Sequence, residues 1–586
     1  MEQTAKAQKQ LAGNALSGMV ATIIYMVSRL LLTPLILHYI SLAEFGLWSL
    51  SFIILSYAGM GGFGVNSTYI RYAARYLADG REKEISKLLS TGVAYMLSFS
   101  LLFCTILFLI MPFILESFHI QDAQKTLAST VFLGTAAVFS LELTLGGFRF
   151  ILNGMHEFAR EKMVTTVAGL IEIAAILSFL ALGAGVKGLL YAFALRLVLE
   201  TAGCWTIARS ILPSLRISYR LVSREHFRLF MGFGGKVQVL GILGIFLTAI
   251  DRLFITAISG LAAGGMFEIG RKLPSTAGSI SSSAFGPFLS TAAHHEGVWT
   301  GEKLNTVKER ISTYLLIVIT AALLALVPVF LIEPLQARLP VSGKIPAIVA
   351  AILAIILFMI LRNQIHADNR LESDELKGLY LNGIRFTNMI SSTLFIFLIA
   401  MAHPLINAWV GDNYSIAANV MIFLSIAYPI QLGTGPVTMI FRGIDRNGRE
   451  LEYMLIQVIL FLIWIPAATA VWGLTGAAAS IAASSMLSTS YLYWRSNATF
   501  HIGVGKFISH SMLPAFVPVL PAAIVFAITW QFPVSGRIPT VIQVLLCGGF
   551  YVLAAAGLFW ITVLDGEEKK KALELLPFSK QSSPSC

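Results

Sequence analysis

Twelve ionisable side chains fall inside long apolar stretches of the chain: Arg29, Glu142, Arg149, Glu172, Arg196, Glu200, Lys236, Asp251, Arg252, Glu268, Arg271 and Lys272. A charge in a membrane-spanning helix costs about 3 kcal/mol on insertion scales, so such residues face a protein interior or a water-filled path. The set is cationic, seven Lys or Arg against five acids. A guanidinium presents a fixed fork of donors that suits phosphate oxygens. The chemistry on offer is therefore recognition of an anion at membrane depth, with Arg29, Arg149, Arg196, Arg271 and Lys272 as the candidate binding groups.

The spacings also offer a self-contained alternative. Glu142 and Arg149 are seven apart and would share one helix face, while Arg196 with Glu200 and Glu268 with Lys272 are four apart and can pair on their own helices. Pairs of that kind can simply neutralise one another inside a bundle. Arg29 has no acid nearby in its own helix and sits too deep to snorkel to water. Glu142 and the Asp251-Arg252 pair are candidates either for coupling to a proton or sodium gradient or for structural ion pairs. No cofactor is expected. The histidines are dispersed, Cys104, Cys204, Cys547 and Cys586 lack metal or disulfide spacing, and no phosphate-binding Walker loop is present.

The elements that must position these charges are helices. The 586 residues are 56% hydrophobic and only 12% charged, with mean hydropathy +0.77, where a soluble protein carries roughly a quarter charged residues. Apolar segments long enough to cross a bilayer number about 16. The polar start runs straight into the first of them, with no small-residue cleavage site for a signal peptide. Alternate loops hold about 28 Lys and Arg against about 5 on the other side, which orients both termini to the cytoplasm. That asymmetry accounts for the net charge of +11 without a nucleic-acid partner. No loop is long enough for a soluble catalytic domain, so an enzyme is not expected.

The chain repeats itself. Ile151-Leu152-Asn153-Gly154 followed by Arg160-Glu161 reads like Ile440-Phe441-Arg442-Gly443 followed by Arg449-Glu450, in one register. A glycine pair then follows each copy, Gly185 and Gly188 or Gly473 and Gly476. A duplicated membrane bundle is the ground plan of many secondary transporters. An all-α polytopic protein follows, with two parallel six-helix bundles about a central cavity. The first bundle covers residues 1–211, a basic amphipathic linker 212–232 and the second bundle 233–497. The second includes an inserted two-helix hairpin near 311–363. An extra helix pair (498–564) and a cytoplasmic tail (565–586) complete the chain. The linker's aromatic and aliphatic residues alternate with arginines at helical spacing, as in a helix lying on a membrane surface.

Several motifs resemble the polysaccharide transport family, the lipid-linked oligosaccharide flippases of the multidrug/oligosaccharidyl-lipid/polysaccharide exporter superfamily. They are Arg29-Leu-Leu-Leu-Thr-Pro34, Ile40-Ser-Leu-Ala-Glu44-Phe-Gly46-Leu-Trp48, Gly61-Gly-Phe-Gly64, Arg71-Tyr-Ala-Ala-Arg75, Asp251-Arg252, Met266 through Pro274, His403 through Gly411 and Gly473-Leu-Thr-Gly476. The likeness covers most of residues 11–497; the inserted hairpin departs from it. It implies a bacterial inner-membrane flippase for surface polysaccharide such as lipopolysaccharide or exopolysaccharide. The substrate would be an undecaprenyl-diphosphate-linked oligosaccharide, carried to the periplasmic leaflet by alternating access, beside membrane lipids and polysaccharide polymerase or ligase proteins. It also implies a cationic cavity in which Arg29 and Arg271 match the family's arginines. Rival readings are a lipid II flippase, a multidrug cation exporter and a non-transporting polysaccharide assembly protein or enzyme. The exporter would want an acid in the first helix, where this chain has Arg29.

Overall fold

The computed structural model describes residues 28–59, 62, 64–118, 120–155, 157–231, 235–282, 374–443, 448–534 and 536–575. The inserted hairpin near 311–363 lies outside them. Every regular element among the described residues is a helix. Eleven of these helices are long and apolar enough to cross a membrane; the expected first span is described only over residues 28–39. Two compact units form, one holding residues to Ile269 and Val458–Ala477, the other Gly270–Glu302, Leu353–Gln457 and Ala478 onward.

The first unit begins with α1 (residues 28–39) and α2 (Leu42–Gly59). Ser41 and Glu44 form a capping box at the start of α2. Ser41 Oγ accepts the Glu44 N–H at 3.2 Å and Glu44 Oε2 accepts the Ser41 N–H at 2.8 Å. One turn later a side chain at Gly46 would run into the Leu261 carbonyl, and one at Gly265 would lie 2.7 Å from the Leu42 carbonyl. The approach is reciprocal, and it gives the Ser-Leu-Ala-Glu-Phe-Gly motif a physical reason. The next elements are α3 (Val65–Ala78), α4 (Glu82–Ser117), α5 (Asp122–Leu145), α6 (Gly147–Gly154), α7 (Phe158–Ala181), α8 (Gly185–Ile211) and the short α9 (Arg224–Leu229). Tyr69, Ile85, Leu88, Leu89, Ile151 and Leu152 make its inner core. Leu101, Leu102, Phe108 and Leu109 of α4 are more than half exposed, as lipid-facing residues should be.

The long helix α10 (Gly235–Ser282) is two legs joined at Gly260, where φ is 84°. Residues eight apart in a straight helix are separated by about 12 Å. A Cβ at Gly264 would instead lie 3.4 Å from that of Thr256, so the chain doubles back there.

The second unit contains α11 (Asp374–Ala400), α12 (Ala402–Val410), α13 (Ser415–Leu432), α14 (Thr434–Gly443) and both ends of α15 (Gly448–Phe500), whose middle, Val458–Ala477, belongs to the first unit. After the short α16 (Val504–Phe507) come α17 (Val519–Gln531), α18 (Arg537–Thr562) and α19 (Gly566–Leu575). Like α10, α15 doubles back at a glycine, Gly473 with φ 60°. Its core joins Tyr380, Ile384, Ile440, Phe441 and Phe500. The extra pair α17–α18 docks through Tyr551, whose hydroxyl donates to the Thr393 carbonyl at 2.8 Å. Buried Arg385 of α11 then clamps the end of the chain. It donates to Glu568 at 2.9 Å and to the Val563 carbonyl at 2.7 Å.

Candidate functional site

Arg29 of α1, Glu172 of α7 and Arg196 and Glu200 of α8 meet in the interior of the first unit. The two arginines share the Glu172 carboxylate. Arg29 is hydrogen-bonded to it through Nη2, and Arg196 Nη1 stands 3.7 Å away. Arg196 Nε also donates to Glu200 at 2.8 Å. Glu172 is 2% exposed and Glu200 7%. The guanidiniums are less enclosed, with side chains 21% and 18% exposed. The arginine side chains are therefore part-exposed while their carboxylate is sealed. Glu142 of α5 lies beside this network, with Arg196 and Glu200 the strongest charges acting on it.

The expected Arg196–Glu200 pair is present. Arg29 has no acid in its own helix, as its sequence context required, but α7 supplies one. This partner is 143 residues away in the chain and carries no local signal. Glu142 and Arg149 do not pair. The helix ends at Leu145 and restarts at Gly147, which redirects Arg149. Arg149 Nε instead stands 2.7 Å from Glu161, whose side chain is fully buried. The Glu268–Lys272 pair also gives way to a better-placed cation: the turn at Gly260 brings Arg252 Nη1 to 3.4 Å from Glu268. Asp251 Oδ1 accepts the Arg252 N–H at 2.8 Å. Asp251-Arg252 thus helps to fasten the hairpin of α10.

Arg271 and Lys272 belong to the second unit. Arg271 Nε donates to the Tyr428 hydroxyl at 3.3 Å, and the Tyr428 ring stacks on Phe395 at 5.8 Å. Lys272 forms no ion pair among the described residues. The Lys236 side chain lies outside the described residues.

The sequence repeat has a counterpart in geometry. Glu450, the match of Glu161, is 4% exposed and receives Arg442 Nε at 2.7 Å. In each copy a short helix after a span, α6 or α14, gives an arginine to the acid that opens the next span. The arginine stands one helical turn further along α14 than along α6, on the same face. The glycines correspond as well. Gly185 has φ 55° and Gly473 φ 60°. A Cβ at Gly188 would lie 2.8 Å from that of Phe179, and one at Gly476 2.7 Å from that of Trp472. Each glycine pair makes a tight reversal between two spans. Among the described residues no group of His, Cys, Asp and Glu could hold a metal ion.

Residues 11–293 match the family described as polysaccharide biosynthesis protein. No curated protein matches by sequence. Among solved structures the chain is similar to the lipid II flippase MurJ in an inward closed conformation. Identity is 12% and the TM-score 0.59, over 93% of this chain and 98% of that one. It is also similar to a mutant form of the Vibrio cholerae MATE transporter VcmN, at 10% identity and TM-score 0.50, over 85% and 98%. These likenesses establish a MurJ- and MATE-like fold, and the eleven long apolar helices mark a multi-pass membrane protein.

Proposed function

We propose that this protein, which resembles the polysaccharide biosynthesis family over residues 11–293, is a flippase for an undecaprenyl-diphosphate-linked oligosaccharide. It would move the headgroup from the cytoplasmic to the periplasmic leaflet of the bacterial inner membrane by alternating access. The observation that carries this reading is the Arg29–Glu172–Arg196 arrangement. Two partly exposed guanidiniums at membrane depth share one sealed carboxylate. A diphosphate offers the same kind of acceptor oxygens with more charge, so it can compete for the exposed donors. Release of the headgroup returns both arginines to Glu172, which keeps them from being stranded without a counter-ion. Arg271 is the candidate contact from the second unit. Arg149, held by Glu161, is a poorer one.

Sequence asymmetry in Lys and Arg supports cytoplasmic termini. A proton or sodium gradient is the proposed drive, with Glu142 as the candidate coupling group because it lies beside the network. Polymerase or ligase proteins would take the product. A second reading, a lipid II flippase, is favoured by the 0.59 TM-score to a flippase of that substrate.

The deciding experiment is flipping in proteoliposomes, followed by access of an external sugar-modifying enzyme to a lipid diphosphate-linked oligosaccharide. Arg29→Ala leaves Glu172 with Arg196, so the protein should insert normally and lose translocation at least tenfold, the scale of about 1.4 kcal/mol per charged contact. Equal rates in both proteins would exclude Arg29 from the path. Failure of the wild type on oligosaccharides with success on lipid II would select the second reading.

A further inference from the structure

The connection after α8 is not a loose tether. Leu212, Leu215, His226 and Phe230 turn inward, and Phe230 meets Tyr69 edge to face at 5.4 Å. A ladder of hydroxyls on α4 holds the backbone between them. Ser86 Oγ donates to the Ser214 carbonyl at 3.3 Å, and Ser218 and Ser223 donate their N–H groups to Ser90 Oγ at 3.1 Å and Thr91 Oγ1 at 3.0 Å. Residues 212–230 therefore form a strap fixed along α4.

Among the described residues the outer side of the strap has no protein partner to match its composition. Arg216, Arg220, Arg224 and Arg228 recur every fourth residue, all are exposed, and none pairs with an acid among the described residues. Between them Ile217 is 42% exposed, Tyr219 78%, Val222 47% and Phe227 39%. Glu225 is the one acid in the segment. A surface meeting only water has little reason to expose such apolar residues among arginines. The strap begins where the spanning helix α8 ends at Ile211, so it lies within reach of the headgroups of that leaflet.

We propose that the strap is a docking surface for acidic phospholipid headgroups. The four arginines would take lipid phosphates while Tyr219, Val222 and Phe227 seat among the headgroups. Charge complementarity selects acidic over zwitterionic lipid. The ladder on α4 presents the surface ready-made, so binding would not have to order it first. This inference is independent of what the protein transports.

The test measures position. The full chain carrying Val222→Cys is reconstituted in vesicles of phosphatidylcholine alone, or with about one-third phosphatidylglycerol. The rate of modification by a membrane-impermeant maleimide is corrected for the parent chain. Acidic lipid should slow modification about tenfold, as expected for several basic residues acting together. High salt should reverse the effect. Replacing the four arginines with glutamine should abolish the protection, and replacing them with lysine should retain most of it. Equal rates in both lipids would overturn the proposal, as would full protection in the glutamine variant. Protection by inorganic phosphate on phosphatidylcholine vesicles would overturn it too, by showing a free-anion site.

Discussion

Arg149 with Glu161 and Arg442 with Glu450 fasten the same turn in the two copies of the repeat, with N–O separations of 2.7 Å in both. The interiors beside those turns are quite different. Counted from the shared motifs, Glu142, Glu172, Arg196 and Glu200 fall opposite Gln431, Phe461, Ser484 and Ser488. The second copy fills these positions with neutral groups. Gln431 Nε2 donates to Ser485 Oγ at 2.7 Å, and Gln457 Nε2 reaches the same oxygen at 3.3 Å. Uncharged side chains therefore suffice at these positions. The ion pair at the turn is common to both copies and belongs to the frame. The Arg29–Glu172–Arg196 cluster occupies positions that are neutral in the second copy, whose own buried charges, Arg449 and Arg495 about Glu452, lie at other positions of α15.

The hardest blow to this comparison is Glu172→Gln. It leaves two half-buried arginines without their shared buried carboxylate, and breaking a buried pair costs about 3–5 kcal/mol. Folded yield and melting temperature in detergent should fall sharply. A change no larger than that of Glu142→Gln would mean the cluster is solvated and not a closed network. The constructive counterpart is the triple variant Glu142→Gln/Arg196→Ser/Glu200→Ser, which writes the second copy's residues into the first. It keeps Arg29 on Glu172, so it should fold nearly as well as the wild type while translocation falls at least about tenfold, or 1.4 kcal/mol. A folded triple variant with full transport would reduce the cluster to scaffolding.

Glu161→Gln and Glu450→Gln should each destabilise by about 2–4 kcal/mol, since each acid is buried against an arginine. Glu450→Gln should be the worse of the two. Arg442 binds Glu450 through two nitrogens, whereas the Arg149–Glu161 contact lacks hydrogen-bond alignment. Melting temperatures of the two variants side by side would decide the order, and a reversed order would break the structural equivalence.

The repeat, the helices and the charged positions were legible because each has a local signature: apolar length, glycine spacing, or a charge in an apolar run. The partners were not. Glu172 meets Arg29 only after five intervening helices have packed, and nothing near either residue specifies that contact. Spacing along one helix favoured Glu268 with Lys272 and Glu142 with Arg149. Glycines redirected both, because the turn at Gly260 delivered Arg252 and the break at Gly146 swung Arg149 to Glu161. Gly146 stood in the sequence between Glu142 and Arg149, and it was the available warning that they would not share a face. The strap on α4 was legible as amphipathic, but its serine ladder depends on tertiary contact.

A smaller effect tests whether the reversals are equivalent. Gly185 and Gly473 both have positive φ, with open space around a notional Cβ. Alanine at either should cost about 1–2 kcal/mol from backbone strain alone. Matched shifts in melting temperature support the shared turn. A large loss at one position only would mean that its turn carries a further constraint.

The smallest effect is expected at His226, which anchors the strap in the first unit. Its imidazole is 1% exposed and stands 3.3 Å from Glu84 and 3.4 Å from the Tyr76 hydroxyl. Burial lowers its pKa below the usual 6.5, against the opposing pull of Glu84 and Glu225, while Lys87 and Arg81 act with burial. The unfolded chain therefore binds this proton more readily than the docked strap does. Stability from His226 is full above pH 6.5 and declines as pH falls from there toward the lower folded-state value. Hydrogen exchange of the Ser218 and Ser223 amides should quicken modestly at pH 5.5 relative to the intrinsic rate, and His226→Gln should flatten the dependence. Exchange that slows on acidification would mean that the carboxylate of Glu84 outweighs burial, and the strap would then tighten when His226 is charged.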